Sequence, residues 1–193
     1  MTNTTLDLGW QSSQSFLTDF LEEDRINDKL LTTFGDNFAV DTGLSLLQSL
    51  ATGELTIPIA VVPSAAINNA RGAYAASNNT IYLSTELLAS GDVGAVTRVL
   101  LEETGHYLDS QINSNDAPGD EGAIFASFVL GEELSDERLQ LLQAEDDTAI
   151  VELNGKSTLI EQMSTIYVND DATGGGVTMV HPGQMHTQTY NQL

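Results

Sequence analysis

The 193-residue chain contains no cysteine, which excludes both disulfide staples and thiolate metal sites. Positive charge is nearly as scarce. Six Lys and Arg stand against 28 Asp and Glu, for a formal net charge of −22. Nucleic acids and anionic membranes both bind through a basic footprint, so neither fits as a partner. No apolar run approaches the roughly 20 residues a membrane span requires. Residues 1 to 10, MTNTTLDLGW, carry neither a basic stretch nor an apolar core of the kind a cleavable signal peptide needs, so any export would use an unconventional or C-terminal signal.

What is present is acid, concentrated late in the chain. Residues 101 to 193 hold 17 acids and only Arg138 and Lys156 as bases. Such a surface suits divalent cations and extracellular or high-salt surroundings, although solubility alone explains most single acids. The length is enough to bury a sizeable core, and one domain of about 100 to 150 residues with extras is expected.

Three regions are predicted. Residues 1–54 form an N-terminal helical segment. Apolar residues from Phe16 to Leu21, then Ile26, Leu30, Leu31 and Phe34, have helical spacing. Gly35-Asp36-Asn37 interrupts the pattern, and Asp41 or Thr42 caps a further helix through Leu44, Leu47 and Leu50 that stops at Gly53. Helices this short are not stable alone, so they are expected to pack on the sheet, in preference to a neighbouring molecule. Residues 55–161 form the core module. IPIAVV at 57 to 62 reads as a buried strand, and residues 71 to 84 as a hairpin turning at Asn78-Asn79. Ser84 or Thr85 opens a short helix, Asp92 caps a long one, and 113 to 119 is loop. Residues 120 to 129 and 135 to 144 are helical, the latter capped by Ser135. Two strands, 148 to 153 and 156 to 161, face each other across Asn154-Gly155, the strongest short hairpin signal there is. Together these give an α+β fold: a small mixed sheet, a long site helix, packing helices, a C-terminal hairpin and a tail, residues 162–193.

The chemistry gathers on the long helix, in VLLEETGHYLD at 99 to 109. Glu102, His106 and Asp109 fall at i, i+4 and i+7, so one stripe presents two carboxylates and an imidazole, with Glu103 beside it. The spacing is that of H-E-x-x-H, where two ligands one turn apart hold zinc and the intervening Glu is the general base. Here Glu102 replaces the first His, giving E-E-x-x-H. Glutamate also ligates metals, but it makes the site more anionic, favours Mn²⁺ or Ca²⁺ relative to zinc, and weakens the acidity of any bound water. The plainer alternative pairs Glu102 with Arg98 and leaves His106 half-buried and satisfied. Glu121, in the first turn of the following helix, is the candidate third ligand, although an acidic first turn is also ordinary dipole compensation.

The runs GAYAASNNTIYLS, VLLEETGHYLDSQIN, DAPGDEGAIFA and LQLLQAEDDTAIVELNG, in this order, resemble a metallopeptidase-like (zincin-like) module. Modules of this kind occur near the N-terminus of large cyanobacterial surface or secreted proteins that carry calcium-binding repeats further on. The resemblance spans roughly residues 55 to 161. It implies a divalent metal held by Glu102, His106 and Glu121, Glu103 as catalytic base, a peptide or protein substrate, and an extracellular or cell-surface setting. It also implies that the strand preceding the long helix is the edge on which substrate would lie.

In the tail, STIYVNDDATGGG resembles the start of a parallel β-helix, yet no further repeat follows. A single coil cannot bury its own faces. Residues 166 to 168 are therefore expected to be ordered only where they add to a sheet, either the 148–161 hairpin or a neighbouring molecule, since the tail offers no visible partner strand. His181 and His186, five apart, form a weaker candidate metal pair. Two functions result: a metallopeptidase-like module with weak or lost activity, or a non-catalytic module that assembles by fibre-type strand addition through the tail.

Overall fold

The computed structural model describes residues 4–36, 39–114, 117 and 119–162, and beyond them the backbone pairing of 166–167 with 178–179. His181 and His186 lie outside the described residues.

The N-terminal segment is three helices rather than two: α1 (Thr4–Leu21), α2 (Ile26–Phe34) and α3 (Val40–Thr52). Neither Gly nor Pro marks the break between α1 and α2. It arises from packing: α1 lies along the long helix α5 (Val93–Ile112), while α2 turns away to pack on α6 (Glu121–Val129). The N-cap of α3 is Ala39, without a side-chain cap, so Asp41 and Thr42 fall inside the first turn instead of capping it. Gly53 ends α3 in the left-handed conformation, at φ 76°, as its position suggested. These helices bury Leu17, Phe20, Leu30, Phe34, Leu47 and Leu50 mainly against α5 and α6, and only marginally against the sheet expected to receive them.

The sheet is mixed, ordered β1-β3-β2-β5-β4, from β1 (Ile59–Val62), β2 (Gly72–Ala75), β3 (Thr80–Ser84), β4 (Thr148–Leu153) and β5 (Lys156–Gln162). β1 runs parallel to β3; the other pairs are antiparallel. β3 precedes α4 (Thr85–Ala89) and α5, and it is bonded on both sides, to β1 and β2. The strand expected to offer substrate an edge therefore has none. The β4–β5 hairpin turns at Asn154-Gly155 with φ of 53° and 73°, the positive values that a type I′ turn needs.

Side-chain caps set the helix starts around the site. Asp92 accepts from the Ala95 amide, Asp120 from Ala123 and, at α7 (Asp136–Gln143), Ser135 from Arg138. α5 touches β2, β3 and β5 as well as α1, α3 and α6, so it runs through the centre of the molecule. A second, smaller core of Ile67, Ala70, Ala73, Ala75, Tyr82, Leu153 and Ile160 holds the hairpin to the rest of the sheet. In the tail, β6 (Ile166–Tyr167) pairs antiparallel with β7 (Thr178–Met179). The strand thus finds a partner within the tail itself, where none was visible in the sequence.

Candidate metal centre

α5 and α6 cross closely because both carry glycine at the contact. A Cβ on Gly105 would lie 2.8 Å from the Gly122 Cα, and one on Gly122 would lie 2.4 Å from His106 Nε2. That proximity brings the second half of α5 against the first turn of α6. Asp120 also donates its amide to the Leu142 carbonyl, which fixes the start of α6 against the end of α7. Behind α7, residues 144 to 147 form a strap leading into β4. The Asp147 carbonyl accepts from the Gln162 amide, so the strap is tied to the end of β5.

At the meeting point lies His106, fully buried and surrounded by carboxyl groups from four stretches of chain. Nδ1 is hydrogen-bonded to Glu121 Oε1 at 2.8 Å, and Glu161 Oε2 stands 3.0 Å from the same nitrogen. A ring nitrogen carries a single proton, and Glu121 occupies its direction. Nε2 has no hydrogen-bond partner; Asp147 Oδ2 lies 3.4 Å from it and Asp120 Oδ1 4.0 Å. Glu102 Oε1 and Asp147 Oδ2 are likewise buried and unpartnered. Two groups have ligand atoms close enough to share an ion: Glu102, His106 and Asp120, and His106, Glu121 and Glu161.

Glu102 and Glu121, expected together on one ion, thus belong to different groups that share the imidazole. Glu103 belongs to neither. It is fully buried against β2, where a Cβ on Gly72 would lie 2.6 Å from its Oε1, and both its oxygens are unpartnered. Asp109, on the same helical stripe, accepts from Asn113 and the Ala117 amide and so shapes the loop after α5. The pairing of Glu102 with Arg98 does not occur, since Arg98 bonds Glu132 instead. Nor is His106 half-buried.

The electrostatics are those of an anionic pit. Glu102, Glu103, Asp120, Glu121 and Asp147 are buried, and no Lys or Arg is buried among the described residues. Burial, reinforced by Asp120 and Glu103, pushes the Glu102 carboxyl well above the usual carboxylate range. Burial does the same to Glu103, against the pull of His106. Asp120 rises to about 6 and Asp147 to about 8, burial leading in both. For His106 burial works the other way, but Glu121 and the other carboxylates outweigh it and hold the imidazole well above its ordinary value. Without a counter-ion the cluster gathers protons. An unpaired buried charge costs several kcal/mol, and protons or a metal cation are the available remedies.

A buried cluster of Glu, His and Asp that could hold a metal ion is therefore built into the fold. Asp120 and Glu161, which belong to these groups, and Asp147 beside them escaped sequence reasoning: Glu161 and Asp147 come from elements distant in sequence, and Asp120 reads as no more than an acidic helix start. Asp147 sat in the run Glu145-Asp146-Asp147, which looks like an ordinary solvated charge run. Compared with protein-family models, curated proteins and solved structures, the chain has no match.

Proposed function

We propose that this chain is a divalent-metal-binding, metallopeptidase-like module whose ion chiefly holds its elements together, with peptidase activity weak or lost. The observation that carries this reading is that His106 Nε2 and Glu102 Oε1, in two residues that could share an ion, are both buried and unpartnered. Buried polar groups are almost always satisfied in native proteins, and an orphaned set of this kind is what a cation would complete. Glu121 fits the role of orienting group rather than ligand. By accepting the Nδ1 proton it leaves the Nε2 lone pair free for metal, the arrangement common to metal-bound histidines. One imidazole nitrogen among carboxylates favours Mn²⁺ or Zn²⁺ over Ca²⁺, which prefers oxygen throughout.

The weak-activity half rests on burial and on the sheet. Structural metal sites are closed, whereas catalytic ones keep a position open to substrate. Here the candidate ligands are enclosed, and β3 has no free edge. A bound ion would supply Lewis acidity, and Glu103, at the base position of the motif, would have to take the proton from water. Its burial favours the neutral acid, which is a poor base. An exported, extracellular or cell-surface setting is part of the proposal, on the sequence resemblance and the acidic composition.

Calorimetric titration with Mn²⁺, Zn²⁺ and Ca²⁺, alongside a peptidase assay of the metal-loaded protein, tests this. One Mn²⁺ or Zn²⁺ per chain with negligible turnover is expected. Failure to bind either ion would remove the reading, and turnover abolished by Glu103→Gln would replace it with an active peptidase.

A further inference from the structure

We propose that Asp147 is an additional ligand that closes the metal centre, so that metal uptake and docking of the strap and β4–β5 hairpin are a single event. This rests on the metal-binding reading above and goes beyond it, because Asp147 lies 41 residues after His106, outside the E-E-x-x-H helix and outside both three-residue groups that could share an ion.

Asp147 is 4 % exposed, and its Oδ2 has no hydrogen-bond partner. That oxygen lies 3.4 Å from His106 Nε2. Two atoms that each ligate one ion at about 2.1 Å stand roughly 3.0 to 3.4 Å apart for angles between octahedral and tetrahedral. The separation therefore suits a shared ion better than a direct hydrogen bond, whose usual range it exceeds. Asp120 is the less available carboxylate on this side. Its Oδ1 is 4.0 Å from Nε2 and already accepts the Ala123 amide at 2.7 Å as the cap of α6. Glu145, two residues before Asp147 in the strap, also turns a buried, unpartnered oxygen inward.

The mechanical link runs through the backbone. The Asp147 carbonyl holds the Gln162 amide, and the neighbouring Glu161 reaches His106 Nδ1. β5 is paired with β4 along its length but with β2 only through Ala73–Gln162 and Tyr74–Glu161. The hairpin's attachment to the rest of the sheet is thus concentrated at the end that carries the acids. Without a cation, Asp147 Oδ2 has no partner at that junction. With a cation the acids become its cross-link, and residues 145 to 162 are clamped onto α5 and α6.

The test combines calorimetry with Mn²⁺ or Zn²⁺ and amide hydrogen exchange on the full chain. Asp147→Asn is expected to weaken binding by about 10- to 100-fold, the worth of one contact to a charged group. Glu152→Gln removes the same charge from an exposed position on the same hairpin and should leave affinity within about two-fold. In the wild type the metal should slow exchange across 148 to 162 selectively; in Asp147→Asn that protection should be lost. Metal binding by the wild type with unchanged hairpin exchange, or equal affinity for Asp147→Asn, overturns the closure while leaving the metal-binding reading intact. No binding by the wild type overturns both. Should Asp147→Asn fail to fold, wild-type exchange with and without metal decides alone.

Discussion

Along α5, Val96, Val99 and Leu100 are as fully enclosed as Glu103 and His106 about one to three turns further on. The first set meets the N-terminal helices and the apolar core; the second meets other acids. Equal burial therefore has opposite energetic meaning in the two halves of one helix. Each large apolar side chain gains about 1.5–3 kcal/mol by leaving water. Each unpartnered carboxyl loses about 1–3 kcal/mol by doing the same. The first half makes the fold stable, and the second makes it conditional on what neutralises the acids.

The sharpest way to break this symmetry is to supply or withdraw the cation. At a free Mn²⁺ or Zn²⁺ concentration about 1,000 times its Kd, the folded state gains about 4 kcal/mol. For a chain of this size that raises Tm by about 8–16 °C, and a chelator should reverse it. A melting curve indifferent to both metal and chelator would count against any cation at the cluster.

Substitutions within α5 come next. Leu100→Ala should lower stability by about 2–5 kcal/mol whether or not metal is present. Glu103→Leu should raise the stability of the metal-free protein by about 1–3 kcal/mol, because it removes a buried acid whose two oxygens have no partner. Chemical denaturation of both variants compares the halves directly, and destabilisation by Glu103→Leu would mean that Glu103 has a partner after all.

Gly122→Ala probes the crossing of the two helices. Its methyl would meet His106 Nε2 at 2.4 Å and the Glu102 carbonyl at 2.8 Å. A loss of about 1–3 kcal/mol is expected, together with weaker metal uptake, read by thermal melting and calorimetry.

The smallest effect per step is that of pH. Asp120, at about 6, and Asp147, at about 8, are raised above their ordinary value of 3.8, so the folded state holds protons that the unfolded chain has released. Their contribution to stability is full below pH 4 and is lost as pH rises towards 8. Metal-free protein should therefore weaken across this window, by at most about 1.4 kcal/mol per pH unit for each proton involved. Metal-loaded protein should show the opposite slope, because ligands must shed protons to bind. Melting at several pH values in each state gives the two signs.

The parts of this molecule legible in sequence were those coded locally. The Asp92 and Ser135 caps, the Asn154-Gly155 turn and the long Glu/His helix each depend on residues within a few positions of one another, and each forms as expected. The break between α1 and α2 was illegible because no residue encodes it; it follows from α2 packing on α6. The centre divided in the same way. Spacing showed that Glu102 and His106 lie one turn apart, but a periodicity of one helix carries no information about the strap or β5. It could not distinguish the two nitrogens of His106 either, and so it joined Glu121 to Glu102 where the fold separates them.

The contact between α1 and α5 has a consequence for the metal cluster, even though α1 contributes no residue to it. A Cβ on Gly9 would fall 2.6 Å from Val96 Cγ1, so a larger residue there would push against Val96 of α5. Val96 lies ten residues before His106, about 15 Å along the helix axis. A displacement of α5 at this contact would be magnified along its length: a tilt of about 4° pivoting there would carry the imidazole through about 1 Å, enough to take a candidate metal ligand out of reach.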